Sequence, residues 1–351
     1  MIDIIETAED LRLLKNAWER LEQNPNLRIF QTYAWCKTAW DKYLAKEQGN
    51  RLWILHWHQD DDDGAVIFPF YIDGKGCLRF IMDTHSDICD SVHSATTTNR
   101  HWAYKEAADE IVRNRDIKSV WLQKSTGASE ALNYLSVLLP GAVVCRDNAF
   151  SWIIAPRAPS FAVTQDQLKH KERKKIKAIA KKSNDYAFAI LSKKNGDIFP
   201  ENAIKLLREE MIGWRRGNRM FFSDDMIHFV ADLYDAGVCE IPILKNDLGV
   251  CALAFRLLKE GHINFWVVLY NNPHLSTMLS IRYIEAKVQD AAYVYDFGVG
   301  AYTYKLETYR PFIGVTFSLH FAQSWVRRLF VWAQVNIRLL KDMLKPCLKR
   351  H

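Results

Sequence analysis

The chain has 351 residues, of which 49% are hydrophobic and 25% charged, with a net charge of +6. That length exceeds what one small core organises and points to about two domains of an ordinary soluble globular type. Between Trp325 and His351 seven Lys and Arg stand against the single acid Asp342, so the body is formally neutral, which argues against a general nucleic-acid-binding surface.

Apolar spacing predicts a helix over residues 7–21, with Leu11, Leu14, Trp18 and Leu21 on one face, and a second over 32–43. "RLWILHWH" and "AVIFPFYI" read as strands joined by a hairpin turn at "QDDDDG". "CLRFIMD" reads as a strand entering the polar loop "THSDICDS". A helix over 102–112, an extended "KSVWLQ", a helix over 128–139 and a second hairpin in "AVVCRDNAFSWIIA" complete the first half. Two prolines in "PRAPSFAV" mark a boundary. Beyond it "LKHKERKKIKAIAKK", residues 168–182, is a basic helix carrying eight Lys or Arg and one Glu.

The second half repeats the pattern. "YAFAILS" is extended, helices cover 203–214 and 224–236, and "EIPILKN", "GVCALAFRLL" and "HINFWVVLY" form a meander with turns at "NDLG" and "KEGH". After "NNPH" a helix spans 276–291 with Ser276 as its N-cap. "YVYDFGV" is a central strand and "FIGVTFSLHF" another. This order, without a long βαβ rhythm, predicts a mixed α/β (α+β) protein with antiparallel-rich sheets, built as a tandem repeat of one domain type. The expected divisions are 1–156, 157–322 and a basic amphipathic tail helix over 323–351.

The seven cysteines are scattered and include no Cys-x-x-Cys, which suggests neither a disulfide framework nor a zinc knuckle and fits a reducing cytoplasm. "MIDIIETAED" lacks the cationic start and apolar run of a secretion signal, and no apolar run is long enough to span a bilayer. Over 325–345 apolar residues fill about half the helical circumference, with Arg327, Arg328, Arg338, Lys341 and Lys345 opposite. That face suits either peripheral association with the inner membrane surface or docking on its own domain or a partner subunit, as in a homo-oligomer. His56 and His58 share a strand face, but two ligands without a third candidate make a weak metal site, so they read as surface hairpin residues and no metal is expected. P-loop, His-Glu-x-x-His, Gly-x-Ser-x-Gly and dinucleotide fingerprints are missing from the sequence.

Five stretches carry a family resemblance: "FQTYAWCKTAW", "FIMDTHSDICD", "KERKKIKAIAKK", "EEMIGWRRGNRMFF" and "YDFGVGAYTYK". In this order, across most of residues 30–310, the chain resembles acetyltransferases of the CelD/BcsL type in the GNAT superfamily, relatives of the FemAB peptidoglycan ligases. The resemblance implies two GNAT-like domains, the second keeping a thioester-binding cleft between splayed strands. It also implies transfer of an acyl group from acyl-CoA to an amine or hydroxyl of a sugar or cell-envelope (exopolysaccharide) precursor, with no DNA partner. The turn before the second-half helix, "NNPHLSTMLS", departs from the Gly-rich Arg/Gln-x-x-Gly-x-Gly/Ala pattern of ordinary GNAT enzymes. Two alternatives stay open: an aminoacyl-tRNA-dependent Fem-like ligase, and a non-catalytic accessory protein of envelope polysaccharide assembly.

Amides of Leu275, Ser276, Thr277 and Met278, at the predicted helix start, would attract cofactor phosphate, unless Ser276 only caps the helix. In "YDFGVGAYTYK", Asp296 is a carboxylate within a strand, Gly298 and Gly300 permit close backbone approach, and Tyr302 and Tyr304 follow. These five are candidates for substrate contact. Lys305 beside a reacting carbonyl would stabilise the oxyanion, and the resemblance places the Tyr-Lys position in the active-site channel. The plainer alternative is a bend closing the sheet, with Asp296 capping the turn and Lys305 in solvent. His85 or Asp87 would act as general base and Asp90 would contact the acceptor, or the three merely satisfy loop amides. Arg215 has the planar fork for a cofactor phosphate or acidic acceptor, or serves a helix C-terminus. The basic helix suits a phosphorylated carrier, a tRNA acceptor stem or a solvated face.

Overall fold

The computed structural model describes residues 1–59, 64–161, 170–182, 185–212, 222–300, 303–324, 328, 329 and 333. Two compact units divide the chain: residues 1–148 with the segment from 315 onward, and residues 149–314.

In the first unit β1 (Ile2–Ile5) leads into α1 (Ala8–Leu13) and α2 (Lys15–Leu21), so the single helix expected over 7–21 breaks at Leu14. Thr7 caps α1 by accepting the Asp10 N–H, and Thr32 caps α3 (Tyr33–Lys42) by accepting that of Trp35. The expected hairpin forms, but each arm is split: β2 (Arg51–Leu52) and β3 (Ile54–Trp57) on one side, β4 (Val66–Phe68) and β5 (Phe70–Ile72) on the other. Pro69, which has no N–H to give a ladder, sits at the break between β4 and β5. The far halves join β1 and β7 (Val92–His93) in a sheet ordered β1-β3-β4-β7. Of the other two, β2 pairs with β5 and β5 with β6 (Cys77–Phe80), which lies beside β8 (Ser119–Thr126).

Helices α4 (Arg100–Arg113) and α5 (Glu130–Leu138) cover this sheet. Ala103, Tyr104, Ala107, Ala108 and Ile111 recur at helical spacing, so α4 buries one face against Trp53, Phe68, Phe70 and Phe80. The second hairpin expected at residues 142–155 does not form: β9 (Val143–Ala155) is one strand. It carries no Gly or Pro to force a turn, and alternation lets Arg146 and Asn148 face outward while Cys145 is buried, so the polar residues sit comfortably mid-strand. The chain passes from the first unit to the second inside β9, ahead of the break expected after residue 156.

The second unit runs α6 (His170–Lys182), β10 (Ala187–Ser192), α7 (Glu201–Ile212), α8 (Asp224–Asp235), β11 (Cys239–Asn246), β12 (Gly249–Lys259), β13 (His262–Tyr270), α9 (Pro273–Asp290), β14 (Tyr293–Val299) and α10 (Thr303–Tyr309). Its strands are ordered β10-β11-β12-β13-β14-β9, antiparallel throughout except for the parallel pair β13 and β14. That parallel pair needs a crossover, and α9 supplies it. α9 packs on β11, β12 and β13, with α6 beside it, while α7 packs on β12 and β13 and α8 on β11. The last strand, β15 (Phe312–Ala322), pairs antiparallel with β8 from Thr316 to Ala322 and those residues group with the first unit, whereas the expected division at 322 puts them in the second.

Each unit thus contains a parallel strand pair bridged by a helix: β6 and β8 around α4, β13 and β14 around α9. Among the described residues no helix is long and apolar enough to cross a membrane. The tail helix expected over 323–351 lies almost wholly outside the described residues.

Candidate active site in the second unit

The parallel pair β13/β14 holds for three residues only: His262 opposite Val294, Ile263 opposite Tyr295, and Asn264 opposite Asp296. Among the described residues the two strands share no pairing beyond that point. Each carries an irregularity where they part. Phe265 pairs with Arg256 but Val267 with Phe255, leaving Trp266 as an extra residue on β13. On β14 the register against β9 slips between Asp296 and Val299. A bulge bends and twists its strand, so both strands change course where their pairing ends.

Asp296 and its glycines make the turn. The buried Asp296 carboxylate accepts the Gly298 N–H at 2.8 Å, Gly298 has φ +71° and Gly300 φ +102°, and the Gly300 N–H reaches the Ala149 carbonyl at 2.7 Å. Both glycines occupy left-handed backbone that costs an L side chain roughly 1–2 kcal/mol. The turn-capping alternative therefore describes Asp296.

Lys305 is not in solvent. It sits on α10, a helix the sequence reading missed, is 6% exposed, and its Nζ donates to the Phe297 carbonyl at 2.5 Å. That carbonyl belongs to the first residue past the end of the parallel pairing. Rings line the same place: Phe297 stacks on Tyr309 at 4.6 Å and meets Phe265 edge-on at 5.1 Å. Asn264 and Asp296, alternating with Ile263 and Tyr295, point to the other face of the sheet, where Trp266 contacts Phe229 of α8. The parting thus has an aromatic side and a side with two buried polar groups.

A buried ionic cluster underlies the aromatic side. Glu240 accepts the Tyr283 hydroxyl at 2.8 Å and the Lys287 ammonium at 2.8 Å, and Arg256 donates to Ser280 Oγ at 3.1 Å. The Arg256 guanidinium lies 3.9 Å from the centre of the Phe265 ring, a cation–π contact. Burial, and then the Glu240 charge, push the Tyr283 hydroxyl well above its ordinary value, so it is a committed donor. These groups fasten α9 to the strands beneath Phe265. Sequence reasoning missed them; the available signal was a charge at or within each apolar run, Glu240 at the start of "EIPILKN" and Arg256 inside "GVCALAFRLL".

The expected phosphate seat is overturned. Helix α9 begins at Pro273 with Asn272 as N-cap, not at Ser276. Pro273 has no N–H, the His274 N–H goes to Asn272 Oδ1 at 3.1 Å, and that of Leu275 to the Asn272 carbonyl at 3.0 Å. Ser276, Thr277 and Met278 lie past the first turn, where backbone amides belong to the helix ladder. The acyl-CoA diphosphate therefore does not fit a backbone cradle at this helix start.

The remaining candidates fall elsewhere. Asp90 accepts the N–H groups of Ser91, Glu130 and Ala131 at 2.8, 3.2 and 3.0 Å, so its carboxylate is occupied holding the start of α5, as the loop-amide alternative had it. The loop around it is pinned: Lys124, at φ +62°, donates to the carbonyls of Thr84 and Ser86, and Trp35 Nε1 to Ser86 Oγ. His85 is half-buried, edge-on to Tyr43 at 5.5 Å; burial and then the Lys124 charge lower its pKa to about 4, leaving the ring neutral at pH 7. His85, Asp87 and Asp90 belong to the first unit, Asp296, Gly298, Gly300 and Lys305 to the second. Arg215 and Tyr302 lie outside the described residues, as does the side chain of Tyr304.

No protein-family model matches the chain, and no curated protein matches it. Solved structures do. A conserved protein of unknown function from Bacteroides thetaiotaomicron is 12% identical with a TM-score of 0.54, over 91% of this chain and 99% of that one. The C-terminal domain of a putative lysylphosphatidylglycerol synthetase from Agrobacterium fabrum is 10% identical with a TM-score of 0.53, over 88% and 95%. FemX is 12% identical with a TM-score of 0.51, over 91% and 96%. At these identities the likeness is one of fold, and the expected mixed α/β fold with antiparallel-rich sheets is what the chain adopts.

Proposed function

We propose that the chain is an acyltransferase of the CelD/BcsL type whose second unit carries the reaction, moving a carboxyl-activated acyl group to an amine or hydroxyl of a sugar or cell-envelope precursor. One observation carries this reading: β13 and β14 part after Asn264 and Asp296, and the buried Lys305 ammonium donates to the first carbonyl beyond the parting. An acceptor oxygen or nitrogen attacks the acyl carbon there and its proton leaves with the departing group. Lys305 offsets the charge that develops on the carbonyl oxygen.

For the donor, two candidates remain, acyl-CoA and aminoacyl-tRNA. The satisfied start of α9 favours a donor whose phosphates meet cationic side chains in place of helix amides. Helix α6 offers these: Ile176 is buried while Arg173, Lys174, Lys177, Lys181 and Lys182 are exposed, and the helix packs on α9 and on α10, which bears Lys305. This supports the tRNA reading. Titration of the full chain with acetyl-CoA and, separately, with a charged tRNA tests both. Binding of tRNA that weakens steeply with salt favours that donor. Saturable binding of acetyl-CoA favours the thioester. Binding of neither removes the enzyme reading.

A further inference from the structure

Asp3 of β1 lies directly opposite His56 of β3 in the antiparallel register, and His58 follows two residues on, so both rings share one sheet face with the carboxylate. The pairing continues past β3, because the Met1 and His58 backbones exchange hydrogen bonds at 3.0 and 3.1 Å. His58 Nε2 stands 3.0 Å from Asp3 Oδ2, and the two imidazoles stack at 5.0 Å. One ligand atom from each of the three residues lies within 4.8 Å of the others, and among the described residues no other three such side chains gather this way. The reading from sequence lacked a third ligand for the His pair; the fold supplies Asp3 from a strand more than fifty residues away in sequence.

The geometry points to a site for a first-row divalent cation, Zn2+ by ligand type, held by the Asp3 carboxylate, His56 and His58. Zinc bonds to nitrogen and oxygen of about 2.0–2.2 Å place tetrahedral ligands about 3.3 Å apart, so the ion needs only a modest swing of the rings from their present positions. Two imidazoles and one carboxylate leave a fourth position for water. Access is open, since the His58 and Asp3 side chains are 28% and 52% exposed. Among the described residues of this unit the thiols are withdrawn: Cys36, Cys89 and Cys145 are buried and Cys77 is half-buried. Bound, the ion would clamp β1, a four-residue strand at the sheet edge, to its neighbour.

The test uses the full chain, free of any histidine tag and stripped with chelator, titrated with ZnCl2 by calorimetry and followed by thermal melting. Expected is one Zn2+ per chain, with affinity weakened at least about tenfold in each of His56→Ala, His58→Ala and Asp3→Asn. Zn2+ should also raise the melting temperature of the wild type and leave that of the variants unchanged. Absence of binding, or equal binding by wild type and all three variants, overturns the site. A double variant, His56→Ala with His58→Ala, that melts like metal-free wild type excludes misfolding as the cause of any loss.

Discussion

The Lys305 ammonium donates to the carbonyl of Phe297, joining a short helix to the strand end at which the parallel pairing of the second unit stops. A cation 6% exposed at that point is costly to bury unless it has partners and a task. Replacing Lys305 with Met keeps the stem and removes the charge. Donor turnover should fall by roughly a hundredfold or more, the range for losing one oxyanion donor, while the melting temperature stays within a few degrees. Unchanged turnover in the folded variant would separate Lys305 from the chemistry.

Gly298 tests the turn independently of catalysis. Its φ of +71° and its N–H bond to Asp296 make the backbone there specific for glycine. Gly298→Ala should cost roughly 1–2 kcal/mol in urea unfolding. A variant as stable as wild type would mean the turn relaxes to another conformation.

In the first unit Asp83 is fully buried and takes both arms of the Arg79 guanidinium at 3.0–3.1 Å. Removing Asp83 leaves the Arg79 guanidinium, 14% exposed, without its carboxylate, so Asp83→Ala should destabilise by up to about 3–5 kcal/mol. Replacing both residues with apolar side chains should cost less than the single change. A double variant worse than either single one would contradict this pairing.

The His85 ring is held at a pKa of about 4, below the ordinary imidazole value of 6.5, so the folded state keeps it neutral while the unfolded chain takes up a proton first. Its contribution to stability is full above pH 6.5, is lost as pH falls towards 4, and has reached its floor below that. At 1.36 kcal/mol per pH unit the loss is at most roughly 3–4 kcal/mol. His85→Gln cannot titrate, so the stability difference between wild type and variant should shrink across that window in denaturant titrations. A difference independent of pH would contradict the depressed value.

Sequence pattern located most elements because periodicity was strong where faces are buried: α4, α8 and the β11 to β13 meander fell where apolar spacing placed them. Three things were not legible. The bulges at Trp266 and beyond Asp296 arise from pairing between strands, which no local pattern encodes. The start of α9 was misplaced by three residues because Asn272 and Pro273 were read as a turn when they are a cap and a first helical residue. Short α10 was hidden in "TYKLETY", seven residues with too few turns to display a period. Lys305 is a candidate by resemblance alone; no local pattern shows that it is buried against Phe297. Asp90 was legible as a loop acid, while its partners at the start of α5 lie forty residues away in sequence.

The central claim is that the parting of β13 and β14 is where acyl transfer occurs. Its most direct measurement is donor breakdown, read as free thiol from acetyl-CoA or as uncharged tRNA, by wild type and by Lys305→Met under the same conditions. The expected result is release by wild type from at least one donor and loss of that release in a variant with an unchanged melting temperature. Equal release by both proteins, or none from either donor by wild type, would contradict it.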